Sequence, residues 1–432
     1  MKEFMRRIAS TILHPSASAM NIATYSFAVF MSIASFVFLN ALQPAILEEI
    51  VKYPRNLHGT ATAWLTIADE LTALAFFALW GFSSDLLNSR RIPYSLGFLF
   101  LSLGLFLYPQ AKEAFPSNFS AFFTSLLFFR MIFAVGASAA TAMLSAVHAD
   151  YSAQRGRGKM AAFVGVVSGL GAIFAAFVFV RIAVWAGIAT AYHVVGGLVA
   201  GASFLLFIGL SRKVAAKDED IEQVTEPSTP SLMSMLKNPL ILLCFLCSFV
   251  ARSDSVATTI FIPLLVKSHF TENPALCSSM PACPEAKRLS SSQLGTVNTS
   301  ALVLAPLFGF LCDKYSPSLS LLIANVCGMA AYLAFSLLPL THWTFYLASC
   351  MAGAAQIGLI VSSLALLSSL APIRSRGSLS GISSIFGAIG ILAVSLLGGL
   401  LFDQWKTTAP FILLFIFNSV AAIHSLICCF IK

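Results

Sequence analysis

What most limits this chain is a succession of apolar runs, each about 20 residues long, separated by short polar breaks. Runs of that length match the hydrocarbon thickness of a bilayer, where backbone groups must be satisfied inside a helix or a closed barrel. Period-two alternation is absent and the runs are about twice the length of a barrel strand, which excludes a β-barrel. Composition agrees: 58% of the 432 residues are hydrophobic and 10% charged, where a soluble domain carries roughly a quarter. The expected fold class is an all-α polytopic membrane protein.

About 12 spans can be placed, near residues 23–47, 60–82, 94–113, 119–146, 160–181, 188–211, 239–265, 294–312, 319–339, 345–371, 379–402 and 409–431. With both termini cytoplasmic, the basic clusters Arg6/Arg7, Arg90/Arg91, Arg155/Arg157/Lys159, Arg212/Lys213/Lys217 and Arg374/Arg376 all fall inside. The net charge of +8 is thereby explained by cytoplasmic loops and carries no nucleic-acid signal. The first span is expected to be a retained signal anchor, in a plasma or endomembrane. The charged and Pro/Ser-rich stretch 212–238 reads as a cytoplasmic linker, preceded by a cytoplasmic N-terminus 1–19 and a six-span half 20–211, and followed by a second half 239–432.

Internal repetition supports that division. Gly81-Phe82-Ser83-Ser84-Asp85 after span two recurs as Gly309-Phe310-Leu311-Cys312-Asp313 after span eight. Arg157-Gly158 is followed by Gly171 in span five, and Arg376-Gly377 by Gly390 at the same offset in span eleven. Parallel six-span halves are a known transporter plan.

In these features the chain resembles the major facilitator superfamily, whose signature Gly-x-x-x-Asp-…-Gly-Arg-Arg/Lys is matched by Gly81, Asp85, Arg90 and Arg91, with Ser89 in place of the second glycine. The Arg-centred motif of the drug-antiporter branch is matched only loosely by Arg130, and its Gly-x-x-x-Gly-Pro motif lacks the proline after Gly169. The resemblance implies that span two meets span eleven at the cytoplasmic face. Asp85 would then lie near the amides after Gly377, with Gly81 permitting close approach, and Asp313 would do the same near Gly158. Gly81, Asp85, Arg90, Arg91, Arg157, Gly158, Gly309, Asp313, Arg376 and Gly377 form the expected conformational gate. It also implies that spans one, four, seven and ten line the cavity, and Asn40, Arg130, Arg252 and Gln356 fall one on each.

An ionisable side chain at bilayer depth costs roughly 2.5–3.5 kcal/mol on insertion scales and needs a partner or a water-filled cavity. The clear cases are Asp69, Glu70, Arg130, Arg252 and Asp254. Arg130 and Arg252 lie roughly 15–20 Å along their spans, near the midplane. They suit either recognition of an anionic substrate or structural pairing with Asp69, Glu70 or Asp254. The carboxylates Asp69, Glu70 and Asp254 suit either proton coupling or a helix–helix clasp. Ser248, Arg252, Ser255 and Thr259 share one helical face, and Asp254 points away from it.

Cys277 and Cys283 share a Pro-containing polar loop, where a disulfide is plausible if the loop is non-cytoplasmic. No metal-ligand cluster, P-loop or catalytic constellation is present, so no cofactor, no ATP drive and no enzyme activity are expected. His148 and Asp150 read as interface residues. The functional expectation is a monomeric secondary transporter of a small organic solute, either an organic anion or a drug-like compound, coupled to protons. The alternative is a membrane receptor or sensor that keeps the fold without turning over.

Overall fold

The computed structural model describes residues 18–46, 58–111, 119–152, 156–211, 237–277, 284–340, 342–372 and 375–430. Among them every regular element is helical, and 12 helices are long and apolar enough to cross a membrane. They are α1 (Ala19–Ala45), α2 (His58–Leu86), α3 (Arg91–Leu107), α4 (Phe119–Tyr151), α5 (beginning Arg157–Phe174), α6 (Ile188–Gly209), α7 (Pro239–Glu272), α8 (Pro284–Lys314), α9 (Pro317–Leu337), α10 (Thr344–Leu370), α11 (beginning Arg376–Ala393) and α12 (Ala409–Phe430). Several starts are written locally. Ser18 caps α1 by accepting from the Asn21 amide, Asn238 caps α7 ahead of Pro239, and Ser316 caps α9 ahead of Pro317.

α5 and α11 share an irregularity. In each, 18 residues of α-helix lead into a five-residue π-turn, Ala175–Phe179 in α5 and Val394–Gly398 in α11, after which α-helix resumes. The glycines of the repeated motif lie in this stretch. A Cβ on Gly171 would collide with the carbonyl of Phe30 on α1, and one on Gly390 with that of Phe249 on α7. The helix pair touches backbone to backbone in both copies.

The chain divides into two compact units. The first takes in Met1–Ala153, Val166–Pro227 and Ala371–Ile385, the second Gln154–Gly165, Ser228–Leu370 and Phe386–Lys432. The opening turns of α5 group with the second unit and those of α11 with the first. Within the first unit α3 packs on α4 and α6, α2 on α4, and α1 on α6; within the second, α9 packs on α10 and α12, α8 on α10, and α7 on α12. The pairings are the same, six helices apart. In the second unit the rings of Phe335, Phe345 and Phe411 meet in the core, with centroids 4.7 and 5.2 Å from Phe335.

Two boundaries differ from the hydropathy reading. The Gly81–Asp85 stretch is not a turn: α2 runs to Leu86 and α8 to Lys314, so both aspartates sit in helical last turns. The charge is tolerated there because each carboxylate is solvated by another helix's amides, described below. The loop before span eight is also shorter than expected, since α8 begins at Pro284 and carries Glu285 in its first turn, where acid suits the dipole.

The reversal after α2 is a Schellman cap. The Ser89 amide bonds the Ser84 carbonyl at 3.2 Å and the Asn88 amide the Asp85 carbonyl at 3.1 Å. The left-handed residue this requires is Asn88, at φ 47°, the only described non-glycine residue with positive φ. Ser89, one residue past the left-handed position, needs no positive φ.

Candidate functional site

The first polar cluster lies wholly in the first unit. The Schellman turn folds Arg90 back onto α2, where its Nη1 donates to Asp85 Oδ1 at 2.6 Å and also to Ser84 Oγ. Asp85 faces the N-terminus of α11, accepting from the Gly377 amide at 3.2 Å, the Ser378 amide at 2.8 Å and the Ser378 hydroxyl at 2.6 Å. A carboxylate on free N-terminal amides gains from both the hydrogen bonds and the dipole. Close approach depends on glycine: a Cβ on Gly377 would lie 2.7 Å from the Gly81 carbonyl oxygen and 2.8 Å from Asp85 Oδ1. Asp150, at the end of α4, bridges two arginines, accepting from Arg90 Nε at 3.0 Å and Arg376 Nη1 at 2.9 Å. Burial opposes the Arg90 charge, but Asp150 and Asp85 outweigh it and hold the guanidinium above its ordinary pKa. A raised group keeps its stabilisation until pH climbs through that value, so Arg90 stays charged throughout the physiological range.

The second unit repeats the carboxylate contact on a helix N-terminus. Asp313 accepts from the Gly158 amide at 2.7 Å and the Lys159 amide at 3.0 Å, at the N-terminus of α5. A Cβ on Gly158 would lie 2.6 Å from Cys312 Cβ and 3.0 Å from Asp313 Oδ1. Lys314 lies over the Phe310 and Tyr315 rings, at 5.2 and 5.3 Å. Of the remaining gate candidates, Arg91 is set over the Phe207 ring at 4.7 Å, away from Asp85, and Arg157 is a half-buried residue opening α5. Gly158→Val should lower thermal stability by about 1–3 kcal/mol, the cost of overpacking. Gly197→Val, where an added Cβ meets nothing within 4 Å, is the matched control in detergent unfolding.

Deeper in the first unit, three of the predicted residues meet. Arg130 is 2% exposed and holds Asp69 in a fork, with Nε 2.7 Å from Oδ2 and Nη2 2.6 Å from the same oxygen. Its Nη2 also donates to Asn40 Oδ1 at 2.7 Å. The guanidinium carbon lies 5.9 Å from the Tyr108 ring, which stacks on Tyr192 at 5.7 Å. Glu70, beside Asp69 on α2, is half-buried and engaged in interactions of its own.

In the second unit the predicted residues separate. Arg252 is exposed, with its stem against Gly387, where a Cβ would lie 2.9 Å from Arg252 Cγ. Gln356 Nε2 donates to Ser255 Oγ at 2.6 Å, joining α10 to the polar face of α7. Asp254 points the other way, fully buried, and accepts from Asn418 Nδ2 on α12 at 3.0 and 3.3 Å. Cys277 is disulfide-bonded, and Cys283 lies outside the described residues. No metal-binding group of three or more His, Cys, Asp or Glu occurs among the described residues.

Sequence reasoning missed Ser378, Tyr108, Tyr192, Asn418 and the bridging role of Asp150. Asn418 carried a usable signal, an amide deep in an apolar span. The tyrosines carried none, because aromatic residues near span ends are ordinary membrane furniture.

Comparison with known proteins decides the family. The family model described as Major Facilitator Superfamily matches residues 25–286 and 244–432. The chain belongs to the Major Facilitator Superfamily. It is thus an integral multi-pass membrane protein of a family of transporters. Its sequence is 24% identical over 389 residues to the magnetosome protein MamH of Paramagnetospirillum magneticum, covering 89% of this chain and 87% of MamH. It is 20% identical over 380 residues to the magnetosome protein MamZ of the same organism, of whose length the match spans 57%. Among solved superfamily structures, the proton:xylose symporter XylE superposes with a TM-score of 0.70 at 12% identity, over 94% of each chain. The E. coli fucose:proton symporter FucP gives 0.71 at 11%, over 94% of this chain and 97% of its own. A bacterial homologue of the iron transporter ferroportin gives 0.69 at 13%, over 94% and 98%. At such identities these structures carry the fold alone.

Proposed function

We propose that this superfamily member is a monomeric secondary active transporter that moves a small organic solute by alternating access, with protons as the coupling ion and both termini cytoplasmic. The observation that carries the reading is the pair of carboxylate latches, Asp85 on the amides of Gly377 and Ser378, and Asp313 on those of Gly158 and Lys159. Each joins one helix end to the N-terminus of another through a few directional bonds, which can form or break as a unit. That is the kind of two-state element alternating access requires. Asn40, Arg130, Arg252 and Gln356 are the proposed substrate contacts. Asp69, Glu70 and Asp254 are the proposed proton carriers, of which Asp69 is favoured because its side chain is 21% exposed and so within reach of water.

An organic anion suits the two arginines better than a drug-like compound without an acidic group. The test is proton flux into proteoliposomes carrying a trapped pH dye. Sugars, amino acids, monocarboxylates and dicarboxylates are added singly under an imposed pH gradient. Solute-dependent proton movement in wild type, lost in Asp85→Ala, is the expected result. A solute that binds but produces neither proton nor solute flux would favour the receptor reading and end this one.

A further inference from the structure

Asp254 is an acid at bilayer depth without a cation beside it. It is fully buried in α7, and among the described residues no ion pair reaches it. Its hydrogen-bond partners are neutral: Asn418 Nδ2 of α12 at 3.0 and 3.3 Å, and the Tyr332 hydroxyl of α9. Such an acid needs a positive partner. Two acceptors are left over close by. Asn418 Oδ1 and Asn325 Oδ1 have no hydrogen-bond partner among the described residues, and both side chains are fully buried. Neither amide can be turned over to cure this. Asn418 Nδ2 donates to the Leu414 carbonyl at 3.0 Å and Asn325 Nδ2 to that of Leu321 at 2.8 Å, so a flip would set oxygen against oxygen.

Both oxygens open on the seam between α9 and α12. Asn418 Oδ1 lies against Gly328, where an added Cβ would collide with it. Asn325 precedes Gly328 by three residues on α9, a rise of about 4.5 Å, and its amide reaches Ser425 Oγ on α12 at 3.4 Å. Buried acceptors without a donor are rare because each forfeits its hydration. A proton on Asp254 would cancel the charge but would leave both amide oxygens as they are. A metal cation answers the charge and the oxygens together.

We infer that the second unit holds a sodium ion between the amide oxygens of Asn325 and Asn418, with Asp254, one amide width away, balancing its charge. Oxygen-only ligands suit a hard cation, and a single carboxylate matches a single positive charge. The close packing at Gly328 favours the smaller alkali ion. The ion would tie α7, α9 and α12 together. The proposal goes beyond the transporter reading and does not depend on it: Asp254 acts as counter-charge to a metal ion, and proton coupling is left to Asp69.

The test is thermal unfolding of the purified protein in sodium, potassium and choline chloride at constant ionic strength. Sodium should raise the midpoint in a saturable way, and potassium and choline should not. Asn325→Leu should need roughly tenfold more sodium for the same shift. Asp254→Asn should lose the dependence, while Asp69→Asn keeps it. If Asp254→Asn does not fold, equilibrium binding of radioactive sodium to Asn325→Leu and Gly328→Ala, which both keep the acid, decides the matter. Each should bind sodium more weakly than wild type, and wild-type affinity in both overturns the site. A wild-type midpoint that ignores sodium overturns it too, as does a sodium response kept in Asp254→Asn. A response lost in Asp69→Asn and kept in Asn325→Leu would place the ion in the first unit and end the proposal.

Discussion

Replacing Asp85 with alanine should open the first latch and shift the conformational equilibrium by two orders of magnitude or more. The substitution removes the acceptor of four hydrogen bonds, from the Gly377 and Ser378 amides, the Ser378 hydroxyl and Arg90. Bonds to a charged acceptor contribute about 1.5–3 kcal/mol each, and they are not additive because Arg90 retains Asp150. A net change of about 3 kcal/mol corresponds to roughly a hundredfold change in population. Ser380 provides the readout, since it is 1% exposed and donates to the Ala142 carbonyl at 2.6 Å. In a cysteine-free background, Ser380→Cys should react about a hundredfold faster with a hydrophilic thiol reagent once Asp85 is alanine. Unchanged reactivity would remove the latch from the conformational cycle. Asp85→Asn should fall between, because an amide oxygen still accepts from one N–H but brings no charge to the helix end.

Arg130→Leu should be the most damaging single change in the membrane interior. It strands Asp69 without its cation, and breaking a buried pair from one side costs about 3–5 kcal/mol. The lower end is expected here because Asp69 is 21% exposed and can recruit water. Unfolding in detergent should show the loss, and Arg130→Leu combined with Asp69→Asn should recover most of it, since the double variant buries no uncompensated charge. Recovery of stability without recovery of transport would separate the pair's structural part from its functional one. A double variant as unstable as the single one would show that the arginine acts through packing against Tyr108 instead.

The architecture was legible because bilayer physics leaves few choices: the spacing of apolar runs located 12 spans, and the repeated glycines and aspartates marked the duplication. The latch partners were readable too, once the family's packing supplied the meeting of α2 with α11. What the sequence hid was mostly distance. Asp150 looks like an ordinary interface acid until α4 is seen to deliver it between Arg90 and Arg376, 60 and 226 positions away in the chain. Asp69 and Asp254 both appeared as intramembrane acids, but only their neighbours distinguish them. One is forked by an arginine, the other is held by the amide of Asn418. The ends of α2 and α8 were misplaced because hydropathy counts a carboxylate as a boundary, whereas a carboxylate solvated by another helix's amides can stay helical.

The π-turns in α5 and α11 have a consequence for anyone mapping these helices. An α-helix advances about 100° per residue, and a π-turn admits one residue more per turn, so side chains beyond it are out of phase with those before it by about that angle. Faces counted forward from Arg157 or Arg376 hold only as far as Phe174 and Ala393. Past Phe179 and Gly398 the count must be restarted. A cysteine-accessibility scan along either helix should therefore show its periodic pattern break and resume one residue late, at the same place in both.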